Sequence, residues 1–527
     1  MRKLLQMANY TFDINDFEDP KVWRLICEGN TKGVFQLESS LGKHWAKKTK
    51  PTSINELAAL ISLIRPGVLK AKVDGKSMAD HYVDRKDNKD PVTYPHDSLE
   101  PILEETFGVL VYQEQSMKIA QVLAGFDLKE ADALRKAIGK KKAGLMEQVK
   151  GKFLEGTKEQ GIVSREVADE IFSWIEKSNR YAFNKSHAVS YAINAYQSAY
   201  CKTHRLKTFY TSYLNRSDRK PKPDIEKKEL IMDARKEEID VLPPRLQHLH
   251  TNFIKDENKD VIYFGLRHIK NVGVKECDKI EELQKNTDIS NYTWLDALIN
   301  IIYKHNLNKR SVIALISVGA FNGKNNTTSR GKMLYEFDSW KQLSAREQEF
   351  ISNNYKGKAN LAECIGFALD SPDIKINSRR QPTVSDIKKS LEKPFYDLDD
   401  TAHSISTDEE KYMSCSLTCN KIDGIDINIS TSMCKDVFNG TITGKVNLAI
   451  QINSIRTYKT KKGKNPGQLM AFLCVEDGTG SLDSVTIFPE CYEKHRDLLT
   501  EGNTVLLFGE ISKKDKRSMI VNKISQI

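Results

Sequence analysis

The feature that most restricts the fold of this chain is a change of hydrophobic period near residue 440. From about residue 99 to 215, apolar residues recur at the three- and four-residue spacing of helices that bury one face. From 441 onward the period becomes two. "TITGKVNLAI", "AFLCVED", "SVTIFP", "NTVLLFGEI" and "SMIVNKI" read as five short strands, with Gly- and Lys-rich turns and one helix from Glu490 to Leu499. One repeating layer cannot serve both periods, so several domains are expected. A length of 527 residues suits about three or four. The predicted architecture is multidomain and mainly α, followed by a small all-β Greek-key barrel.

Local signals place the elements. In "PTSINELAALISLIRPG", Thr52 or Ser53 can cap a helix whose apolar face is Leu57, Leu60, Ile61 and Ile64, and Pro66-Gly67 stops it. In "RYAFNKSHAVSYAINAYQSAY", Ser186 is the expected N-cap, and Tyr191, Ala195 and Ala199 follow at helical spacing. Lys185 and His187 then flank the helix start. "RSDRKPKPD" (216–224) reads as a linker or exposed loop, and "VLPP" (241–244) ends a short strand. "VIYFGLRHIKNVGVKECDKIEEL" (261–283) reads as strand, short helix, glycine hairpin and helix, and "NKRSVIALISVGAFNG" (308–323) repeats the helix-then-hairpin idea. Residues 370–438 are polar and weakly patterned, which predicts a connection with loosely ordered parts.

Composition narrows the partners. The net charge of +10, from 81 Lys+Arg against 71 Asp+Glu, permits a nucleic-acid partner without requiring one. No run approaches the ~18 apolar residues of a membrane span, so no membrane partner and a cytoplasmic location are expected. The nine cysteines include no CxxC pair, and Cys415 and Cys419 lack a second pair at zinc-finger spacing. Free thiols and no metal site are the reading.

Four stretches carry chemistry. In "ADALRKAIGKKKAGLMEQVKGK" (131–152), the span from Arg135 to Lys152 holds seven Lys/Arg and one acid, Glu147. On a helix, Lys136 and Lys140 lie one turn apart, and Arg135 and Lys142 two turns apart. Such charges repel unless an anion compensates, and a triphosphate or a phosphodiester backbone is the obvious anion. A solvated cationic face is the bland alternative. In "GVLVYQEQSMKIAQVLAGF" (108–126), Tyr112 and its neighbouring amides could meet a base, or form a buried Tyr with a polar cap. The hairpin "IKNVG" (269–273), with Lys270, Asn271 and Gly273, could offer backbone N–H groups to a phosphate, with Gly273 supplying a positive φ. "RTYKTKKGKNPG" (456–467) combines Arg456, Lys459, Lys461, Lys462 and Lys464 with Tyr458, a mixture suited to single-stranded nucleic acid or simply to a solvated hairpin.

Together, and in this order, these stretches resemble the bacterial DNA polymerase III alpha subunit, the C-family replicative DNA polymerases. "GVFQLESS", "LISLIRPG", "YPHDSLEPILEETFGVLVYQEQSMKIAQVLAGF", "ADALRKAIGKKK" and "YAFNKSHAVSYA" are similar to the family's fingers region. "VLPP", "YFGLRHIKNVG" and "LNKRSVIALISVGAF" are similar to its helix-hairpin-helix segment, and the last strands to its oligonucleotide-binding (OB) barrel. The resemblance implies a fingers region at 1–240, helix-hairpin-helix at 241–330, a connecting segment at 331–438 and an OB-fold at 439–527. It implies nucleotide binding by Arg135, Lys136, Lys140, Lys185 and His187. It implies DNA binding by Lys141, Lys142, Lys270, Asn271, Gly273, Tyr458, Lys459, Lys461 and Lys462. The second basic residue is commonly Arg in the family, so at Lys136 a bidentate contact becomes a point charge. Two glycines usual before "FNKSH" are replaced by Arg180 and Ala182.

The family's palm, with the aspartates that clamp two metal ions, has no counterpart here. Asp397 and Asp399 have a suitable spacing but lie in a polar connection. The resemblance therefore implies the C-terminal half of a split, phage-like polymerase. Deoxynucleoside triphosphates are the substrate, Mg2+ is held by a palm-bearing N-terminal half in another chain, and this chain alone is inactive. Primer-template and single-stranded DNA are the other implied partners, with a sliding clamp met through "QLSAREQEF" (342–350), which opens with Gln342 and Leu343 but lacks the usual aliphatic-aromatic finish. The alternative is a non-catalytic DNA-binding protein that reuses the same surfaces.

Overall fold

The computed structural model describes residues 17–70, 72–73, 75–140, 143–179, 181–423, 430–460, 466–513, 515 and 517–527. The chain divides into two compact units, Met1–Ser212 and Tyr213–Ile527.

The first unit is helical. α1 (Pro20–Cys27), α2 (Ser40–Thr49), α3 (Ile54–Leu63) and α4 (Met78–Lys86) precede α5 (Gln113–Ala124), α6 (Leu128–Lys140), α7 (Ala143–Gln160), α8 (Arg165–Asn179) and α9 (Lys185–His204). Ser53, rather than Thr52, caps α3, accepting from the Glu56 N–H at 3.3 Å, while Glu56 reaches back to the Thr52 N–H at 2.7 Å. α9 presents a row of small buried residues, Ala188, Ala192, Ala195 and Ala199, to one core. Without side-chain bulk, Leu57, Leu60 and Ile61 of α3 share that core with it. A second core joins α5 to α8 around Phe126, Phe153 and Phe172, with ring centroids 5.3–6.1 Å apart.

The second unit begins with a 3₁₀ turn, Ser217–Arg219, and α10 (Pro223–Lys236), where the sequence reading expected a loop or linker. Pro223 sits at the first helical position, which its fixed φ favours. β1 (Asp240–Leu242) runs parallel to β3 (Val261–Tyr263), and β2 (Ile254–Lys255) is antiparallel to β3. α11 (Val274–Asn286) follows the turn that holds Gly273, and α12 (Lys309–Ser317), capped by Asn308, precedes the turn at Gly319. α13 (Arg330–Gln342), α14 (Ala345–Asn354) and α15 (Leu361–Asp370) come next, and α16 (Gln381–Glu392) and α17 (Ala402–Met413) lie within residues 370–438, where loosely ordered parts were expected.

That connection is clipped down by an ion pair invisible to local pattern. Arg330 donates to Glu409 at 2.8 Å and to the Ser317 carbonyl at 2.8 Å, and the two charged side chains are 6% and 0% exposed. The second Glu409 oxygen accepts from the Leu417 and Thr418 N–H groups at 2.6 and 2.8 Å. A buried charge persists only when paired and fully hydrogen-bonded, as this one is.

The barrel is closed. β4 (Lys445–Lys459), β5 (Leu469–Asp477), β6 (Gly480–Ile487), β7 (Thr504–Ile511) and β8 (Met519–Gln526) pair in the order β8-β6-β5-β4-β7, and β8 returns antiparallel onto β7. Only the β6–β8 pairing is parallel. Val446, Leu448, Ile450 and Ile452 of β4 alternate inward to the core. A register shift between Ile452 and Ser454 follows, and the strand continues outward to Lys459. This is the OB-type barrel expected from the sequence, after a mainly helical region.

Candidate nucleotide and nucleic-acid interface

Arg135 and Lys136 sit near the end of α6, whose buried side is Ala131, Leu134 and Ala137. Both cations turn to one carboxylate on the same helix. Asp132 Oδ1 accepts from Arg135 Nε at 2.9 Å and Nη2 at 2.7 Å, and Asp132 Oδ2 meets Lys136 Nζ at 2.7 Å. Bonds from Lys136 and then Arg135 hold the Asp132 carboxyl below the usual range. The like charges are thus compensated from within, by an acid one turn upstream of the span first counted. Its spacing, three and four residues away, was readable in the sequence. Lys140 ends α6, but its side chain, like Lys141 and Lys142, lies outside the described residues.

The start of α9 is built by two chain segments. The Gln113 N–H donates to the Phe183 carbonyl at 2.9 Å, and the Phe183 N–H to the Val111 carbonyl at 3.0 Å. This bridge sets the starts of α5 and α9 side by side. The N-cap of α9 is Asn184, not Ser186: its Oδ1 accepts from the His187 N–H at 2.9 Å. Ser186 lies one residue inside and donates its hydroxyl to that same oxygen at 2.7 Å. Glu114 completes the cap, accepting from the Lys185 N–H at 2.9 Å and from Asn184 Nδ2 at 2.6 Å. The Lys185 ammonium is paired with both oxygens of Glu105, at 2.7 and 2.8 Å.

His187 is exposed and belongs to a run of rings. Its centroid lies 4.0 Å from Tyr191 and 5.5 Å from Phe183, and Tyr191 meets Phe35 edge-on at 5.1 Å. The Arg65 guanidinium lies 4.5 Å over Phe183. Glu105 and Arg65 went unnoticed as site residues because their partners, Lys185 and Phe183, are distant in sequence, whereas Tyr191 stands one helical turn from His187. Tyr112, by contrast, is 2% exposed, and Gln115 is spent on the Val111 and Tyr112 N–H groups at 3.0 Å. The buried-Tyr reading holds there.

In the first hairpin, Asn271 rather than Gly273 takes the left-handed conformation, with φ of 71°. Gly273 has φ of −86° and starts α11. The Glu276 and Cys277 N–H groups donate to the Gly273 carbonyl at 3.2 Å, and those of Val274 and Lys275 precede the first helical bond. Lys270 is engaged on both ends: its N–H donates to the Tyr412 carbonyl at 2.8 Å and its ammonium lies 3.2 Å from Asp224. The second hairpin is tied to the first, since Ser311 Oγ donates to the Asn271 carbonyl at 2.6 Å. Lys309 and Arg310 are exposed at the start of α12.

On the barrel, Arg456, Tyr458 and Lys459 occupy the outer end of β4, opposite Phe472, Met470 and Leu469 of β5. Tyr458 is 52% exposed and rests edge-on against Phe472 at 5.5 Å. Lys461 and Lys462 lie outside the described residues. "QLSAREQEF" does not form an extended peptide. It spans the end of α13 and the start of α14, with Leu343 buried. Among the described residues no three His, Cys, Asp or Glu side chains gather as a metal site, and Asp397 Oδ1 accepts from the Asp399 N–H at 2.9 Å in a local turn. The residues described do not fit a magnesium pair. No helix among them is long and apolar enough to cross a membrane.

Residues 1–161 match the bacterial DNA polymerase III alpha subunit finger domain, and residues 238–330 match a helix-hairpin-helix motif. The chain is 34% identical over 516 residues to the DNA polymerase III subunit alpha of Aquifex aeolicus (strain VF5), covering 97% of this chain and 39% of that protein. It is 29% identical over 515 residues to the DNA polymerase III subunit alpha of Staphylococcus aureus (strain MRSA252), covering 97% of this chain and 43% of that protein. The chain thus spans about two fifths of the length of the curated relatives it matches.

Proposed function

From a chain related to the bacterial DNA polymerase III alpha subunits along nearly its whole length, we propose a component of a replicative DNA polymerase that supplies fingers, duplex-binding hairpins and a single-strand-binding barrel. The observation that carries this reading is the solvent-accessible Arg135–Lys136 pair, focused on Asp132 in the second half of α6 within the finger-matching region.

In this reading α6 presents Arg135 and Lys136 to the phosphates of an incoming deoxynucleoside triphosphate. Arg135 offers a planar fork and Lys136 a point charge. Lys185 and His187, at the start of α9, line the nucleotide and template pocket, with the tilted His187–Tyr191 ring pair as its aromatic wall. The start of α11, with Asn271 and Gly273 before it, takes a duplex phosphate through backbone N–H groups. Lys309 and Arg310 add charge beside it. Arg456, Tyr458 and Lys459 hold single-stranded template, Tyr458 by stacking on a base.

The palm and its metal-holding aspartates come from a separate chain in this proposal, and Mg2+ with them. A clamp contact through residues 342–350 is disfavoured by their helical packing. Phe395 and Tyr396, 86% and 64% exposed in the connecting segment 331–438, are the better docking pair.

Primer extension with the purified chain, with and without a palm-bearing companion, tests the proposal. Extension is expected only from the pair. Extension by this chain alone defeats the separate-palm reading. Steep salt-dependent DNA binding, with no extension from any pairing, favours the non-catalytic alternative.

A further inference from the structure

Among the described residues, Asp132 is the carboxylate that meets both cations of the proposed triphosphate clamp. Arg135 and Lys136 are consecutive residues, so a helix alone points their side chains about 100° apart. Asp132 gathers them: one oxygen takes Arg135 at 2.7 and 2.9 Å, and the other takes Lys136 at 2.7 Å. Two oxygens on one centre, one for a guanidinium and one for an ammonium, is also what a phosphate group presents. The bridges are open to solvent. The side chains are 33% exposed at Asp132, 38% at Arg135 and 55% at Lys136, where screened ion pairs are easily broken.

We propose that Asp132 is a resident counter-anion that holds Arg135 and Lys136 together and competes with a nucleoside polyphosphate, or a pyrophosphate product, for them. This rests on the reading of the pair as a nucleotide site. An incoming polyphosphate exchanges its oxygens for Oδ1 and Oδ2, and Asp132 swings into water. When the polyphosphate leaves, the carboxylate returns and shields the cations. The pair is thereby kept from binding anions too tightly to release them. Asp132 is a positioning residue: it touches the cations, not the substrate.

The test is titration calorimetry of the purified full chain with sodium tripolyphosphate and sodium pyrophosphate at low salt. Removing one negative charge a few ångströms from the bound anion is expected to tighten binding, and Asp132→Asn should bind both probes roughly fivefold more tightly than wild type. Asp132→Glu keeps the charge and should stay within about twofold of wild type. A purely structural role would weaken binding in Asp132→Asn instead. If that variant fails to fold by circular dichroism, Asp132→Ser replaces it with the same expectation. Equal or weaker binding in the neutral variants, while Arg135→Ala with Lys136→Ala still abolishes binding, overturns the counter-anion role alone. Unchanged binding in the double alanine variant overturns the nucleotide-site reading and this inference with it.

Discussion

At the scale of single residues, two side chains make opposite use of burial. Arg135 is left accessible, so its value lies in what it meets. Replacing it by Ala removes a charge-assisted contact of roughly 1.5–3 kcal/mol from a triphosphate, whatever the base. In a reconstituted enzyme, Arg135→Ala should raise KM about tenfold or more for all four deoxynucleotides alike, measured by steady-state incorporation. A base-selective effect would place Arg135 elsewhere. His268 is the reverse case. Its side chain is 0% exposed, Nδ1 lies 3.1 Å from Asp218, and Nε2 is buried without a partner. Burial outweighs the attraction of Asp218, which is itself 42% exposed, and the pKa falls to about 4. Unfolded, the imidazole returns to about 6.5. Between those values the unfolded chain binds the extra proton, so stability complete above pH 6.5 drains away as pH falls towards 4. Urea midpoints followed by tryptophan fluorescence should fall over that window in wild type. They should fall less in His268→Gln, which cannot take up the proton.

At the scale of elements, what matters is how close two backbones come. A Cβ at Gly156 of α7 would stand 2.1 Å from the carbonyl oxygen of Ala124, the last residue of α5. Helix propensity favours Ala over Gly by about 1 kcal/mol. The clash is with backbone rather than a flexible side chain, so it decides the sign. Gly156→Ala should destabilise the first unit by about 1–3 kcal/mol, read as a lower urea midpoint. The same reasoning explains α9, where small residues face the core it shares with α3. The described part of the polar run, 370–423 and 430–438, is held differently. Its helices bury few large apolar groups, and the Arg330–Glu409 pair and its backbone partners hold α17 in place instead.

At the scale of the whole molecule, the proposed anion sites fall in different units. The proposed triphosphate clamp is in the first, and the hairpins and barrel are in the second. DNA binding should therefore persist when Arg135 and Lys136 are neutralised. Tyr458→Ala should weaken binding to an oligothymidylate by about 1–3 kcal/mol, and Arg456→Ala should lower the salt slope by about 0.7, both by fluorescence anisotropy. If neither changes, the barrel's outer β4 end is not the single-strand surface.

Periodicity was enough to separate helices from strands, to place the barrel, and to bring Arg135 and Lys136 onto one helix end, because these depend on neighbours in the chain. It was also enough to reveal Asp132, had the helical spacing been followed one turn further back. Other features required the folded chain: Glu114 capping α9 together with Asn184, Glu105 taking Lys185, Tyr112 disappearing into the core, and Asn271 rather than Gly273 carrying the turn. Each depends on a partner tens of residues away or on backbone torsions set by packing. The amino-acid order names the charges, and only the meeting of distant segments decides which of them water still reaches.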